Sequence, residues 1–438
     1  MIPKTKLQKK VIWLSKKVDP MTEEQKQWAN DALFRGYYVQ VRNRNFCLEC
    51  GHKWNPECKR LGKRTCPSCG TKGLKHVDHW DTDKSIYRYW AKIDMVEGCQ
   101  VVRMFFAEKY LKRKQTPKYY HQEVMQHWVR EDGKITSMAK LCSTMGACRR
   151  LDSWSPGTDL EVRTNSRNHQ MRCNIIPDKI CPGRNTLPII RRNGYKGYFR
   201  GEAPHHFFSA ILKYPKVETL LKAGQHSLFS LCVGMGDYGR NKVRQYWKSI
   251  CIAMRNDYIV EDASDWLDYL GMLEQFDKDI LNAEYICPDD LHKAHNHYNS
   301  QLQEVQIQQM LERDKEKIKK ENVEYRANKG QFFNMRFRNK NIKIEPLTSV
   351  QQFLIEGKKL KHCIYTNSYY KRDNSLMLSA RISGELVETV EVNLRKMEVS
   401  QARGFKNKPT EHHKKIVDTV RENMDKIAKR ANTEAVAA

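Results

Sequence analysis

Apolar and polar residues alternate with a period of two along Ile86–Ile93, Gln100–Phe106 and Glu123–Val129. That period sends successive side chains to opposite faces of an extended chain, so the three runs predict consecutive antiparallel strands. Glu97-Gly98 and Asp132-Gly133 are the hairpin turns between such strands. Their aromatic residues are expected to pack in the core and across strands. Upstream, Thr22 and Gln25 have capping-box spacing, and Trp28, Ala32 and Leu33 follow at helical intervals. Residues 141–200, rich in Arg, Asn and Gly, lack periodicity and predict a long surface connection. Helical spacing returns at Pro204, with Phe207, Phe208, Ala210 and Ile211, and holds to Gln309. Leu311 to Lys329 is dense in charge, as expected of a solvated helix or linker.

The last hundred residues change pattern again. Thr348 and Gln351 have capping-box spacing before a helix with Val350, Phe353 and Leu354 inward, which Glu356-Gly357 should end. Leu376, Leu378, Ala380 and Ile382 alternate, Ser383-Gly384 turns the chain, and Leu386 to Asn393 returns. A third short strand should hold Val399, Gln401 and Arg403. Thr410 is placed to cap a final helix in which Ile416, Val420, Met424 and Ile427 share a face. The whole predicts a multidomain α+β protein. An N-terminal helix (1–40) precedes a cysteine module (41–79) and a β-rich domain with its long connection (80–200). A helical region with a charged linker (201–330) and a small α+β domain (340–430) complete it.

Composition narrows the function. Of 438 residues, 78 are Lys or Arg and 51 are Asp or Glu, a net charge of +27, which points to a polyanionic partner, nucleic acid first. No stretch is apolar enough to span a membrane and the N-terminus lacks an export signal, so the expected location is the cytoplasm. Fourteen cysteines without a disulfide framework fit a reducing compartment.

Four of those cysteines form two knuckles, Cys47-x-x-Cys50-Gly51 and Cys66-x-x-Cys69-Gly70. Four thiolates can enclose one Zn2+ tetrahedrally with no position left for water, so the expected zinc ribbon is structural, one ion per chain. Cys142, Cys148, Cys173 and Cys181 lack knuckle spacing. Between Val41 and His76 nine basic residues face only Glu49 and Glu57. Arg42, Arg44, Lys53, Lys59, Arg60, Lys63 and Arg64, with Trp54 as a stacking platform, are the candidate nucleic-acid surface. Gly234-Met235-Gly236-Asp237-Tyr238-Gly239 matches the dinucleotide G-x-G-x-x-G in form, but its helical surroundings predict a turn between helices instead.

The densest chemistry lies between Leu360 and Pro409. Pleating puts Thr389, Glu391 and Asn393 on one strand face, opposite Val390 and Val392. If that face opens toward His362 and Gln401, then His362, Cys363, Glu391, Gln401 and Asn407 form a candidate catalytic site for general acid–base or nucleophilic chemistry. A buried polar network that only fixes a core is the competing reading.

Three ordered motifs here, Glu356-Gly357-x-x-Leu360-x-His362-Cys363, Glu388-Thr389-Val390-Glu391-Val392 and Gln401-Ala402-Arg403-Gly404-x-x-Asn407, resemble the PcfJ-like family of conjugative plasmids, integrative elements and phages. The resemblance covers roughly residues 340–425. The N-terminal ribbon and aromatic strands also look like the longer members. It departs from the family after His-Cys, where Ile364-Tyr365 replaces the usual Val-Gly. It implies association with DNA transfer or mobile-element maintenance. Three functional readings follow. One is a zinc-bearing, nucleic-acid-associated protein of a mobile element acting through its PcfJ-like domain. The second is an enzyme acting on nucleic acid or protein, and the third a scaffold of a DNA-transfer or replication complex.

Overall fold

The computed structural model describes residues 3–42, 44–55, 65–78, 83–112, 115–140, 142–144, 152–154, 157–163 and 175–432. It divides into two compact units, Met1–Leu267 with Ile280–Cys287, and Asp268–Asp279 with Pro288–Ala438. The architecture is α+β, as the patterning predicts. Among the described residues no helix is long and apolar enough to cross a membrane.

The first unit opens with two helices, α1 (Lys6–Ser15) and α2 (Glu23–Leu33). The Thr22/Gln25 capping box starts α2, and a second box, Thr5/Gln8, starts the helix that the basic N-terminus hid. Strands β1 (Tyr37–Val41), β2 (Arg44–Cys47), β3 (Lys53–Trp54) and β4 (Lys75–Val77) form the small sheet that carries the cysteines, in the order β3-β2-β1-β4. The alternating runs become long strands, β5 (Lys84–Val96), β6 (Cys99–Leu111) and β7 (Lys118–Arg130), followed by β8 (Ile135–Ala139). The connection beyond them carries short strands: β9 (Cys142–Thr144) pairs with β10 (Asp152–Trp154), while β11 (Glu161–Arg163) and β12 (Lys179–Ile180) extend the large sheet to β11-β8-β7-β6-β5-β12.

β6 is buried along most of its length, so its charged side chains need partners. Arg103 forms a two-pronged pair with Glu123 (2.8 and 2.7 Å), and Lys109 reaches Glu49 of the cysteine module at 2.8 Å. Val11 and Leu14 of α1 pack with Val101, Trp128 and Met138, and Ala29 and Leu33 of α2 with Trp90 and Phe105. Helices α3 (Pro188–Arg192), α4 (Pro204–Lys213), α5 (Pro215–Lys222), α6 (His226–Gly234), α7 (Gly236–Gln245), α8 (Trp247–Arg255), α9 (Ala263–Gln275) and α10 (Ala283–Ile286) follow. The glycine-rich hexapeptide joins α6 to α7, so it is the predicted turn between helices.

In the second unit, α11 (Leu291–Arg313) and α12 (Lys315–Lys329) precede a five-stranded antiparallel meander. Its strands are β13 (Phe337–Asn339), β14 (Ile342–Pro346), β15 (Ser375–Ile382), β16 (Glu385–Asn393) and β17 (Glu398–Arg403), in chain order. Helix α13 (Val350–Lys359) lies between β14 and β15, and α14 (His413–Glu422) and α15 (Met424–Asn432) close the unit. Leu376, Leu378, Ala380, Val390 and Val392 pack with Ile416, Val420 and Ile427. Met377 packs instead with Val350, Phe353 and Leu354 of α13 and with Ile318 and Tyr325 of α12.

Several expectations shift. The cap of α13 is Ser349, whose side chain accepts from the Gln352 amide, one residue beyond the expected pair. Glu356-Gly357 lies within the last turns of α13. Thr410 does not cap α14; its amide and hydroxyl donate to Glu388 at 2.7 and 2.6 Å. The charge-dense 311–329 stretch buries Ile318, Glu321, Tyr325 and Lys329, so it is a packed helix with one inward face.

Candidate functional site

Three segments of the second unit meet at the site: the loop after α13, the polar face of β16 and β17, and the turn after β17. Gly357 lets the loop fold back on α13, because a Cβ there would sit 3.1 Å from the His362 carbonyl oxygen. The His362 amide donates to the Gly357 carbonyl (2.9 Å) and the Lys406 amide to that of Leu360 (2.8 Å), tying loop and turn together. Gly404 has the same logic: its Cβ would meet the Val387 carbonyl at 2.9 Å. On the opposite sheet face the buried Glu388 carboxylate accepts from Thr410 and from His413 Nδ1 (3.0 Å), anchoring the chain beyond the turn.

Register sets the polar face: Glu391 stands opposite Gln401, and Thr389 opposite Arg403. A hydrogen-bond chain runs inward from the pocket. His362 Nε2 lies 3.2 Å from Thr389 Oγ1, which donates to Glu356 Oε2 at 2.7 Å. With the threonine proton directed to Glu356, its oxygen accepts from Nε2–H, and the lone pair of His362 falls on Nδ1. Among the described residues that nitrogen is buried without a hydrogen-bond partner. Burial lowers the His362 pKa, so the ring is held neutral, and burial raises that of Glu356 against its hydrogen bond from Thr389 and the charge of Arg381.

His362, Cys363, Gln401 and Asn407 line one cavity of about 230 Å³, shared with Asn367, Tyr369, Thr389 and Arg403. Glu391 stands behind it, accepting from Gln401 Nε2 (2.8 Å), Ser375 Oγ (2.7 Å) and Arg372 (3.2 Å). Gln401 is thereby oriented, and its Oε1 is left as the acceptor end of the amide. Cys363 is exposed, and among the described residues no hydrogen bond joins its thiol to His362. Asn407 and Lys406 both have left-handed backbones (φ 61° and 53°), a strained pair of the kind found where a turn must present a side chain. A second cavity, about 390 Å³, adjoins the same His362 and Cys363 and is walled by Asn299, Gln303 and Gln306 of α11.

Glu356, Thr389 and Arg403 stood within the sequence motifs but outside the predicted site. Strand alternation placed Thr389 on the right face. Nothing in the sequence showed that the last turns of α13 would bring a carboxylate beneath it.

The four knuckle cysteines also converge. Their sulfurs all lie within 4.8 Å of one another, with Cys47–Cys69 at 3.8 Å and Cys50–Cys66 at 3.7 Å. A tetrahedron with metal–sulfur bonds of about 2.3 Å has edges of about 3.8 Å, so the cage fits a thiolate-bound ion such as Zn2+. Burial pushes the Cys47 thiol up; Thr71 overcomes burial at Cys69 and brings that thiol to about 7. Arg42, Arg44 and Lys53 are exposed, Trp54 is half-buried, and the His52 and Trp54 rings stack 6.5 Å apart. Lys59, Arg60, Lys63 and Arg64 lie outside the described residues, as do Cys148 and Cys173.

Comparison with curated proteins and with solved structures finds no match. Comparison with family models finds one, described as PcfJ-like protein, over residues 265–417. The match begins well upstream of the expected 340 and takes in α11 and α12 with the meander. The C-terminal region of this chain, carrying the His362 pocket, therefore matches the PcfJ-like family model.

Proposed function

We propose that the chain is a nucleic-acid-associated protein of a mobile genetic element, with a structural Zn2+ in its cysteine module and its working pocket in the PcfJ-like region. One observation carries the nucleic-acid reading. Within the cysteine module Glu49 is bound inward by Lys109, leaving Arg42, Arg44 and Lys53 exposed on the small sheet that also carries Trp54. Exposed cations on a sheet with a half-buried aromatic ring suit a phosphate backbone with accessible bases. Replacing Arg42, Arg44 and Lys53 with Gln should weaken oligonucleotide binding and flatten its salt dependence by about 2 to 3 in the slope of log K against log salt. An unchanged slope would refute a role for this surface.

The enzymatic reading rests on the His362–Thr389–Glu356 chain. A neutral His362 lining a pocket with Arg403, Gln401 and Asn407 is suited to accept a proton from a bound substrate. His362→Ala and Glu391→Gln should each abolish biological activity without unfolding the protein. Full activity in both would end this reading.

A further inference from the structure

The helical part of the first unit carries a cationic feature that no motif announced. A Cβ on Gly239 would sit 2.2 Å from the Leu231 carbonyl oxygen, so a glycine is needed for α7 to close on α6 this tightly. That approach lets Arg240 Nη1 donate to the Cys232 carbonyl (3.1 Å) while its guanidinium lies 4.5 Å from the Tyr214 ring centroid. Beside it opens a cavity of about 300 Å³, with buried Val217, Cys232 and Val243 in its lining and Lys216, Arg240 and Arg244 as its cations. Lys213 lies over Tyr214 (5.1 Å) and Lys216 over Trp247 (5.0 Å).

Charge in this segment is one-sided. Residues 213–248 contain seven Lys and Arg against Glu218 and Asp237. Both acids are engaged by neighbours, Glu218 by Lys222 at 2.6 Å and Asp237 by Arg240 at 2.8 Å. The field presented outward is therefore positive, and the cavity it surrounds is apolar with an aromatic wall.

We infer that this cavity between α5 and α7 is a binding site for single-stranded nucleic acid, taking an unstacked base beside Tyr214 while Lys216 and Arg244 hold the flanking phosphates. An apolar slot next to a ring suits the face of a base, and cations at its edge suit the backbone. A duplex keeps its bases paired and stacked, so it cannot fill the slot. An acidic peptide would match the charge but leave the apolar cavity without an occupant. The inference rests on the nucleic-acid reading above but names a different surface from the cysteine module.

The test uses the full chain with Lys216→Glu and Arg244→Glu combined, leaving Arg240 and its backbone bond untouched. Binding of single-stranded and duplex oligonucleotides is followed by fluorescence anisotropy across a salt series. The expected result is weaker single-strand binding, with a slope shallower by about 1.4 for two lost phosphate contacts, and unchanged duplex binding. An oligonucleotide carrying 4-thiothymidine should cross-link within residues 214–217 or 240–247. The milder Lys216→Gln with Arg244→Gln pair guards against misfolding and should move the slope the same way. Parental single-strand binding with cross-links elsewhere would overturn the site, as would equal losses for duplex or equal competition by polyglutamate. Those outcomes leave the cysteine-module reading standing; a parent protein that binds no nucleic acid at all removes both.

Discussion

Thr389→Val tests the hydrogen-bond chain beneath the pocket most cleanly. Valine has nearly the volume of threonine, so no cavity opens; what disappears is one hydroxyl with two partners. Thr389 is 3% exposed, and its hydroxyl meets both His362 Nε2 and Glu356 Oε2. Among the described residues His362 Nδ1 is already buried without a hydrogen bond, and Glu356 Oε1 has Arg381 Nη2 at 3.8 Å. The substitution therefore strands Nε2–H and Oε2 as well. Leaving a buried polar group unmet costs about 1–3 kcal/mol, more for a charge, so two such groups after relaxation cost about 3 kcal/mol. The change can be read by native-state hydrogen exchange of the Leu376–Val392 amides, which should exchange roughly a hundredfold faster when opening is global to the unit. Thr389→Ser keeps the hydroxyl and should lose far less. If Thr389→Val stayed within about 0.5 kcal/mol of the parent, the chain would not be a connected network.

Further outcomes follow from the same geometry. Burial raises Glu356 above its ordinary 4.5, so its stabilising contribution is complete below that value and is lost as pH rises through the folded value. Glu356→Gln should then gain on the parent in denaturant melts as pH rises above the usual carboxylate range. His362 has the opposite sign: lowered from 6.5 by burial, it contributes fully above 6.5 and loses that contribution as pH falls through the folded value. His362→Gln should flatten the acid limb of the melting curve. Gly239→Ala forces a Cβ against the Leu231 carbonyl and should cost about 1–3 kcal/mol, seen as a lower Tm. Metal analysis should find about one Zn2+ per chain, and Cys66→Ser should release it; full metal content in that variant would contradict the four-sulfur cage.

The long strands were legible because β5, β6 and β7 are rich in β-branched and aromatic residues, and Glu97-Gly98 and Asp132-Gly133, both glycines having positive φ, mark the turns after β5 and β7. The knuckles were legible because a metal cage fixes spacing in sequence as well as in space. The buried face of α12 was not. Glu321 and Lys329 lie on the buried face of α12, where Glu321 accepts from the Tyr370 hydroxyl at 2.8 Å, so charge there hides an inward stripe. β14 alternates as well, with Ile342, Ile344 and Pro346 inward and Lys343 and Glu345 between them, but the run is short and ends in proline. At the site, pleating found the face holding Thr389 and Glu391. It could not show that Glu391 would orient Gln401 from behind the pocket, or that Glu356 would end the relay. The first depends on the β16–β17 register and the second on how α13 packs, tertiary facts that local periodicity does not encode.

The nucleic-acid reading is tested most directly by titrating the intact, metal-loaded chain onto single-stranded and duplex oligonucleotides from about 50 to 200 mM salt. A surface that replaces several counterions should lose two or more orders of magnitude in affinity over that range, with log K falling linearly in log salt. Absence of binding at the low-salt end, or binding indifferent to salt, would contradict it.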